Sequence, residues 1–331
     1  MFLINSFRRA AALSAATVMS GAIAFGVSAQ GRSITGAGAS FPAPLYKLMF
    51  SNYNSAKVNY NSIGSGGGIR QFAAKEVAFG ASDAPPKAKD LGAESDNVLL
   101  VPTAGGAVAV TYNLPGYNGR VQLQREALWK IFNGEVSNWK QINSAYPDQK
   151  IVPVVRADGS GTTFIFTAHL ARTSNGKIKA NKAPTWPAGF LKGEKNDGVA
   201  AAVKRTPGAI GYVQDTYARK NGLKTAFLQN KAGRYVEPSL DEANKALEGV
   251  RFNTDFTTAN SDDPDDGYPI VGVTWLMLYK IHPNPAMAAP TRKLATWMMS
   301  DEAQAFNTKL EYTKIPKSVR TRAIAEIAKV E

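Results

Sequence analysis

The chain has 331 residues, of which 44% are apolar and 20% are charged, and its formal net charge is +13. This is globular rather than disordered composition, and the length suits two domains that each bury a core. The chain has no cysteine and only two histidines, His169 and His282. Disulfides, thiolate metal sites and a cysteine nucleophile are therefore excluded, and a histidine-rich metal site is not expected.

Residues 1–29 have the features of a secretory signal peptide. Two arginines precede an apolar stretch rich in small residues, and Val27 and Ala29 are small residues suited to a cleavage site. We predict cleavage after Ala29. A membrane anchor is the alternative, but the stretch is only weakly hydrophobic. Because the chain has no cysteine to carry a lipid, we expect a periplasmic protein that is not a lipoprotein.

The positive charge favours an anionic partner. Removing residues 1–29 takes away two arginines and leaves a formal net charge of +11. A small oxyanion, a nucleic acid or a membrane surface would suit this charge. The basic residues are scattered singly or in pairs, which favours a solvated basic surface over a nucleic-acid site. We therefore expect no nucleic-acid partner.

The first informative segment is residues 34–42, which we interpret as a glycine-rich turn that leads into a helix. Apolar residues spaced as one face of this helix are Tyr46, Met49, Phe50 and Tyr53. Ser40 is predicted to be the helix N-cap, with Pro42 in the first turn.

The second segment begins with a strand in which Val58 and Tyr60 alternate with polar residues. The glycine-rich residues 63–68 follow, and residues 77–81 return to strand character before Asp83. The intervening helix is predicted to have an apolar face of Ile69, Phe72, Ala73 and Val77.

The third segment is an apolar strand at residues 151–155 followed by the polar, glycine-rich residues 156–163. The helix that follows has an apolar face of Phe164, Ala168 and Ala171. A C-terminal helix is predicted from the apolar spacing of Val319, Ala323, Ile324, Ile327 and Val330. Alternating strands and helices predict an α/β architecture.

All three segments combine a glycine-rich turn, a hydroxyl residue and a following helix. The first N–H groups of a helix lack internal partners, and glycine allows close approach of the backbone to a ligand. This is the design of an anion site. The segments do not match the phosphate-binding loop GxxxxGK[ST] or the GxGxxG fingerprint. Ser160 is not in a GxSxG nucleophile elbow, because residue 158 is aspartate.

Six stretches resemble a known family. They are TGAGASFPAPLY (35–46), IGSGGGIRQF (63–72), FGASDAP (79–85), RADGSGTTF (156–164), NDGVAAAVKRTPGAIGYV (196–213) and YPIVGVTWLMLYK (268–280). In this order they closely resemble the periplasmic phosphate-binding proteins, the substrate-binding subunits of high-affinity phosphate ABC importers. The resemblance covers nearly all of the chain beyond residue 29.

The resemblance implies a type II periplasmic binding protein, with two hinge-linked α/β lobes of mixed sheets flanked by helices. One lobe would comprise residues 30–105 and 268–331, and the other residues 106–267. The chain would leave the first lobe near Gly105 and Gly106 and return to it near Pro269. The ligand would bind in the cleft between the lobes.

The resemblance also implies a set of ligand contacts. The implied residues are Ser40, Phe41 through its backbone N–H, Ser65, Asp83, Arg156, Ser160, Gly161 and Thr162. Asp158 would hold Arg156 by a charge-assisted pair. Position 40 is often threonine in the family, and serine keeps the hydroxyl. Position 66 is often serine and is glycine here, so we expect a lost peripheral hydrogen bond or a looser loop.

Asp83 bears on ligand choice. An ionised carboxylate only accepts hydrogen bonds, so it suits an anion that carries a proton, as phosphate does and sulfate does not. Sites built to pair a substrate hydroxyl reject analogues without it by about 10⁴-fold. On the residues alone, without the resemblance, a turn residue before Ala84 and Pro85 is the favoured interpretation of Asp83.

The resemblance implies a monomeric, non-enzymatic receptor without a metal or cofactor, which binds phosphate and delivers it to a membrane ABC permease and ATPase. Three alternatives remain open. The first is a binding protein for arsenate, sulfate or molybdate. The second is a secreted serine hydrolase that uses Ser160 with His169 or His282. The third is a phosphate scavenger or surface interaction protein that works without a transporter.

Overall fold

The computed structural model describes residues 33–259 and 261–331, so the predicted signal peptide lies outside the described residues. Strands and helices alternate through most of this region, which confirms the predicted α/β class. Across the described ranges, no helix combines the length and the apolar character that a membrane span requires.

The strands form one large mixed sheet and two small ones. They are β1 (Ile34–Gly38), β2 (Val58–Ser62), β3 (Phe79–Ser82), β4 (Val98–Tyr112), β5 (Gln122–Leu123), β6 (Val152–Arg156), β7 (Leu191–Gly193), β8 (Ala209–Gln214), β9 (Lys224–Thr225), β10 (Phe227–Gln229), β11 (Tyr235–Val236), β12 (Arg251–Phe252), β13 (Thr258–Ala259) and β14 (Val271–Tyr279).

Helices connect most of these strands, and short polar side chains cap several of them. Ser160, Ser239 and Ser300 each accept a hydrogen bond from the backbone N–H three residues further on. The helices are α1 (Ala43–Ser51), α2 (Ser65–Ala73), α3 (Ala88–Leu91), α4 (Arg125–Phe132), α5 (Gly161–Thr173), α6 (Lys195–Arg205), α7 (Asp215–Lys220), α8 (Leu240–Glu248), α9 (Pro285–Met298), α10 (Asp301–Lys309) and α11 (Lys317–Ile327).

The large sheet has the strand order β2-β1-β3-β14-β4-β8-β6-β7, and β9 also pairs with β4. Strands β1, β2 and β3 are mutually parallel neighbours at one end, as are β8, β6 and β7 at the other. Between them, β14 and β4 are antiparallel. Each parallel group needs crossover connections, and the helices supply them.

Strand β4 joins the two halves of the sheet. Up to Ala107 it pairs with β14, and from Val108 it pairs with β8. This change of partner lies next to Gly105 and Gly106, where the resemblance implies a crossing between lobes. The exact division into residues 30–105 with 268–331 and residues 106–267 stays a prediction.

Two buried clusters of apolar side chains hold the sheet to its helices. The larger cluster extends along both halves, and in it the rings of Phe72 and Tyr279 stack at 4.0 Å. The smaller cluster lies under β8 and includes Val154, Val199 and Val203. Removing a buried ring such as that of Phe72 would cost roughly 3–5 kcal/mol.

The structure corrects the prediction for the first segment, residues 34–42. Residues 34–38 are a strand rather than part of a turn, because β2 and β3 both pair with them. Ser40 is not the N-cap of α1. Pro42 occupies that position, and the Ser40 hydroxyl accepts a hydrogen bond from Asn196 instead.

Two further predictions about helices are wrong. Helix α2 ends at Ala73, and Lys75 adopts a φ of 60°, so Val77 does not lie on its apolar face. In α11, Ile324 is 36% exposed, whereas Val319, Ala323 and Ile327 are buried as predicted. Val330 is buried but lies beyond the helix end.

Candidate functional site

The predicted site residues lie where parallel strands end. Strand β1 leads to Ser40 and Phe41, β2 leads to Ser65, and β3 leads to Asp83. On the other half of the sheet, Arg156 is the last residue of β6. Ligands of open α/β sheets characteristically bind at the carboxyl ends of such strands.

Glycines allow these elements to approach each other. A Cβ on Gly68 of α2 would lie 2.4 Å from the Cα of Gly38 at the end of β1. A Cβ on Gly161, the first residue of α5, would lie 2.5 Å from Ser65 Oγ and 2.6 Å from the Asp83 Cβ. Side chains at these two positions would separate the strand ends from the helix starts.

Ser65 connects the two halves of the site. Its Oγ accepts hydrogen bonds from the backbone N–H of Asp83 at 3.2 Å and of Gly161 at 3.1 Å. Its hydroxyl has a longer contact of 3.4 Å with Asp83 Oδ2. The starts of α2 and α5 therefore meet at one hydroxyl, and both helices direct the positive ends of their dipoles towards it.

Asp83 is buried, with 2% of its surface exposed. Thr274 Oγ1 donates a hydrogen bond to Asp83 Oδ1 at 2.8 Å. Burial raises the pKa of Asp83 to about 7, although the bonds from Thr274 and Ser65 and the charge of Arg156 oppose this shift. Near neutral pH this carboxyl can therefore either hold a proton or accept one from a ligand.

Arg156 is held by Asp158 in a two-point pair. The Arg156 Nε donates to Asp158 Oδ1 at 2.7 Å, and its Nη2 donates to Asp158 Oδ2 at 2.5 Å. Burial would raise the pKa of Asp158, but Arg156 and the N–H of Lys195 outweigh it and the pKa is lowered. Asp158 is therefore ionised beside Arg156, and the Arg156 side chain is only 1% exposed.

The start of α5 contributes Ser160, Gly161 and Thr162, which are all buried or nearly so. Ser160 Oγ caps the helix by accepting from Thr163 N at 3.0 Å. Thr162 Oγ1 accepts from Arg156 Nη1 at 3.4 Å. Capping and presentation of hydroxyl groups thus coexist in this turn.

Hydrogen bonds from neighbouring side chains hold Ser40 and Phe41 in place. The carbonyl of Ser40 accepts from Tyr217 Oη at 2.7 Å, and that of Phe41 accepts from Tyr312 Oη at 2.6 Å. Asn196 Nδ2 donates to Ser40 Oγ at 2.9 Å. All of the implied contact residues are therefore gathered around the junction of the two sheet halves.

Comparisons with known proteins agree with this geometry. Residues 24–302 match the model of the PBP superfamily domain. The chain is 35% identical to the phosphate-binding protein PstS of Pasteurella multocida, over 89% of this chain and 90% of that protein. It is 30% identical to PstS of Methanocaldococcus jannaschii, over 85% and 82% of the two chains. The chain belongs to the phosphate-binding protein family of the PBP superfamily.

The fold is that of the family. A solved structure of a high affinity periplasmic phosphate-binding protein, PfluDING bound with phosphate, superposes with a TM-score of 0.78 at 23% identity. The match covers 88% of this chain and 93% of that one. The chain therefore has the two-lobe periplasmic binding protein fold, with a mixed sheet flanked by helices.

This protein has two polar residues at the site that were not predicted from the sequence, Asn196 and Thr274. Both occur in stretches that carry the resemblance, but neither follows a glycine-rich turn of the kind that identified the other residues. The signals that could have found them were a polar residue within an otherwise apolar strand at Thr274, and an asparagine in the first turn of α6.

At Gly66 the structure explains how the chain tolerates glycine where the family often has serine. The Gly66 N–H donates to the Gly159 carbonyl at 2.8 Å. A Cβ at this position would lie 3.1 Å from the Gly159 Cα. Glycine at position 66 thus allows direct contact with the backbone of Gly159. This contact argues against the looser loop that was expected.

The histidines do not assemble a hydrolase site with Ser160. His169 Nδ1 lies 3.3 Å from the Asp262 carbonyl, and His282 Nε2 lies 3.2 Å from the Ala78 carbonyl. Both are buried and structural. Within residues 33–259 and 261–331, no group of three or more His, Asp or Glu side chains is placed to hold a metal ion.

Proposed function

We propose that this protein binds inorganic phosphate between its lobes through Ser40, Phe41 N–H, Ser65, Asp83, Arg156, Ser160, Gly161 and Thr162. The phosphate-binding family to which the chain belongs supports the ligand. The geometry of this chain supports the residues, and one observation carries most of the weight.

That observation is the direction in which the site hydroxyls can donate. Ser40 Oγ and Ser65 Oγ each accept from two N–H groups, and Thr162 Oγ1 has contacts from Arg156 and Asn196. A hydroxyl oxygen has two acceptor positions and one proton. When N–H groups occupy the acceptor positions, the hydroxyl can only donate. The Ser40 and Thr162 hydroxyls would then donate to the ligand, whereas Ser65 directs its proton to Asp83 Oδ2 at 3.4 Å.

A ligand rich in acceptors fits such a site. The guanidinium of Arg156, which Asp158 pairs, and the N-termini of α2 and α5 add further N–H donors to the site. Asp83 is the exception, because its Oδ2 can accept. Phosphate near neutral pH offers a P–OH to such a carboxylate, whereas sulfate offers none.

We further propose delivery to a membrane ABC permease and ATPase, which the same family membership supports. The lobes would close on phosphate, exclude water and strengthen each hydrogen bond in the low local dielectric. We place the protein in the periplasm as a monomer, released after Ala29. Binding and release need no covalent chemistry, so the proposed function is that of a receptor and not of an enzyme.

The proposal is tested by titration calorimetry on phosphate-stripped protein lacking residues 1–29, with phosphate, arsenate and sulfate as ligands. We expect saturable phosphate binding, competition by arsenate because it also carries a proton, and no sulfate response. Arg156→Ala should lose most of the phosphate affinity. Absence of phosphate binding by the wild type would refute the proposal.

A further inference from the structure

Asn196 links the candidate ligand donors of the two halves of the site. It lies in the first turn of α6 and is fully buried. Its Nδ2 donates to Ser40 Oγ at 2.9 Å and lies 3.3 Å from Thr162 Oγ1. Ser40 follows β1, and Thr162 follows β6, so one amide group spans the site.

The orientation of this amide is determined by its surroundings. Asn196 Oδ1 accepts from the backbone N–H of Gln214 at 2.9 Å, which only an oxygen can do. The Nδ2 group must therefore face the two hydroxyls. The preceding residue, Lys195, has a left-handed φ of 59°, and its N–H donates to Asp158 Oδ1. Asp158 thereby holds both Arg156 and the backbone that presents Asn196.

We propose that Asn196 is a positioning residue for anion binding, which acts through Ser40 and Thr162 by making both hydroxyls donate to the ligand. This inference rests on the proposed function. Its physical basis is that two N–H donors on each hydroxyl oxygen fill both acceptor positions and leave the O–H proton as the group available to an anion. Without the amide, each oxygen keeps one donor, the Asn196 backbone N–H on Ser40 and Arg156 Nη1 on Thr162, and one acceptor position opens. The hydroxyl could then accept a hydrogen bond instead of donating one to the anion.

The proposal predicts that Asn196→Ala weakens phosphate binding by about tenfold to a hundredfold, as expected for lost control of hydrogen bonds to a charged group. Asn196→Asp keeps the oxygen that accepts from Gln214 N but removes both donors, so it should weaken binding at least as much. Asn230→Ala is the matched control. Asn230 is equally buried, and its Nδ2 bonds to Gly267 O and Asp266, outside the site.

A double-substitution cycle with Ser40→Ala separates positioning from general structural support. If Asn196 acts through Ser40, the loss caused by Asn196→Ala should be much smaller in the Ser40→Ala background, because contacting residues are non-additive. Calorimetry gives the affinities, and thermal unfolding of the ligand-free variants shows that they are folded. Asn196→Asp enters the same cycle if Asn196→Ala does not fold.

The inference would be overturned if the Asn196 variants kept wild-type affinity. It would also be overturned if the affinity losses of Asn196→Ala and Ser40→Ala were independent, so that the double variant lost the product of the two factors. Either result would leave phosphate binding by the wild type intact. An equal loss in Asn230→Ala would also overturn it, since the effect would then not be specific to the site. If the wild type itself did not bind phosphate, the proposed function would fail, and that outcome is distinct from the others.

Discussion

Thr274 Oγ1 donates a hydrogen bond to Asp83 Oδ1 at 2.8 Å, across 191 positions of the sequence. The register between β14 and β4 shifts at this point, because β4 contributes the extra residue Thr103 between the partners of Thr274 and Trp275. Bulges are over-represented beside functional sites. With Oδ1 bonded to Thr274, Oδ2, which accepts only the longer contact of 3.4 Å from Ser65, is the Asp83 oxygen that can accept from a ligand.

Replacing Thr274 by valine tests this relationship. Thr274→Val keeps the shape of the side chain but removes the donor, so Asp83 would lose its anchor and its pKa would rise further. We expect roughly a tenfold weaker affinity for phosphate at neutral pH. Thr274→Ser keeps the donor and should stay within about threefold of the wild type. Calorimetry at one pH and ionic strength measures both, and equal affinities would contradict the anchoring role.

Replacing Asp83 by asparagine tests ligand choice. An asparagine amide can donate to an anion, so Asp83→Asn should no longer need a ligand that carries a proton. We expect weaker phosphate binding and measurable sulfate binding in calorimetric titrations. If the variant still rejected sulfate as strongly as the wild type, Asp83 would not be the residue that discriminates between these anions.

The same substitution should change how stability depends on pH. Burial raises the pKa of Asp83 to about 7 in the folded protein, above the ordinary value of 3.8. Between these values the folded state binds more protons than the unfolded state, so wild-type stability falls as pH rises through this window. A tenfold difference in proton affinity corresponds to about 1.4 kcal/mol, so the whole effect is a few kcal/mol at most.

Thermal unfolding of ligand-free wild type and Asp83→Asn between pH 4 and pH 8 measures this dependence. The variant should gain stability relative to the wild type as the pH rises, and the gain should level off above pH 7. Both proteins are measured at one ionic strength, so that the screening of surface charges is the same at every pH. A difference in stability that does not change with pH would contradict the raised pKa.

Local sequence signals predicted the parts of the fold and site that depend on neighbouring residues. The alternation of Val58 and Tyr60 with polar residues predicted β2, and the apolar residues 151–155 predicted β6. These two strands are determined by a few consecutive residues, and they are visible without knowledge of the rest of the chain. The pairing of Arg156 with Asp158 was instead implied by the resemblance to the family, and the structure shows it.

Contacts between distant segments could not be predicted in this way. Ser40 looked like a helix cap because nothing nearby indicated that Asn196, 156 positions away, would donate to its hydroxyl. Residues 34–38 looked like a turn because their glycines suggest one. In the sheet, a Cβ on Gly36 would lie 2.1 Å from the Phe79 ring, so this glycine makes room for packing.

His169 should make the protein sensitive to acid. Burial lowers the pKa of His169 to about 4, an effect that Arg125 reinforces and Asp263 opposes. Between about pH 6.5 and pH 4 the unfolded state binds more protons, so stability is lost as the pH falls through this window. We expect His169→Gln to lose less stability than the wild type between pH 7 and pH 4.5. Parallel losses in thermal unfolding would contradict this prediction.

Gly161 is the position at which a single methyl group should hinder closure of the site. In the structure a Cβ there would lie 2.5 Å from Ser65 Oγ and 2.6 Å from the Asp83 Cβ, distances that packed atoms do not reach. An open arrangement of the lobes would relieve this overlap, so Gly161→Ala should remain folded but bind phosphate at least tenfold more weakly.

Gly249→Ala is the control for Gly161→Ala, because a Cβ at Gly249 has nothing within 4 Å. Calorimetry gives the affinities, and small-angle scattering at saturating phosphate compares the compactness of the variants. Wild-type affinity in Gly161→Ala would show that the site does not require this close approach.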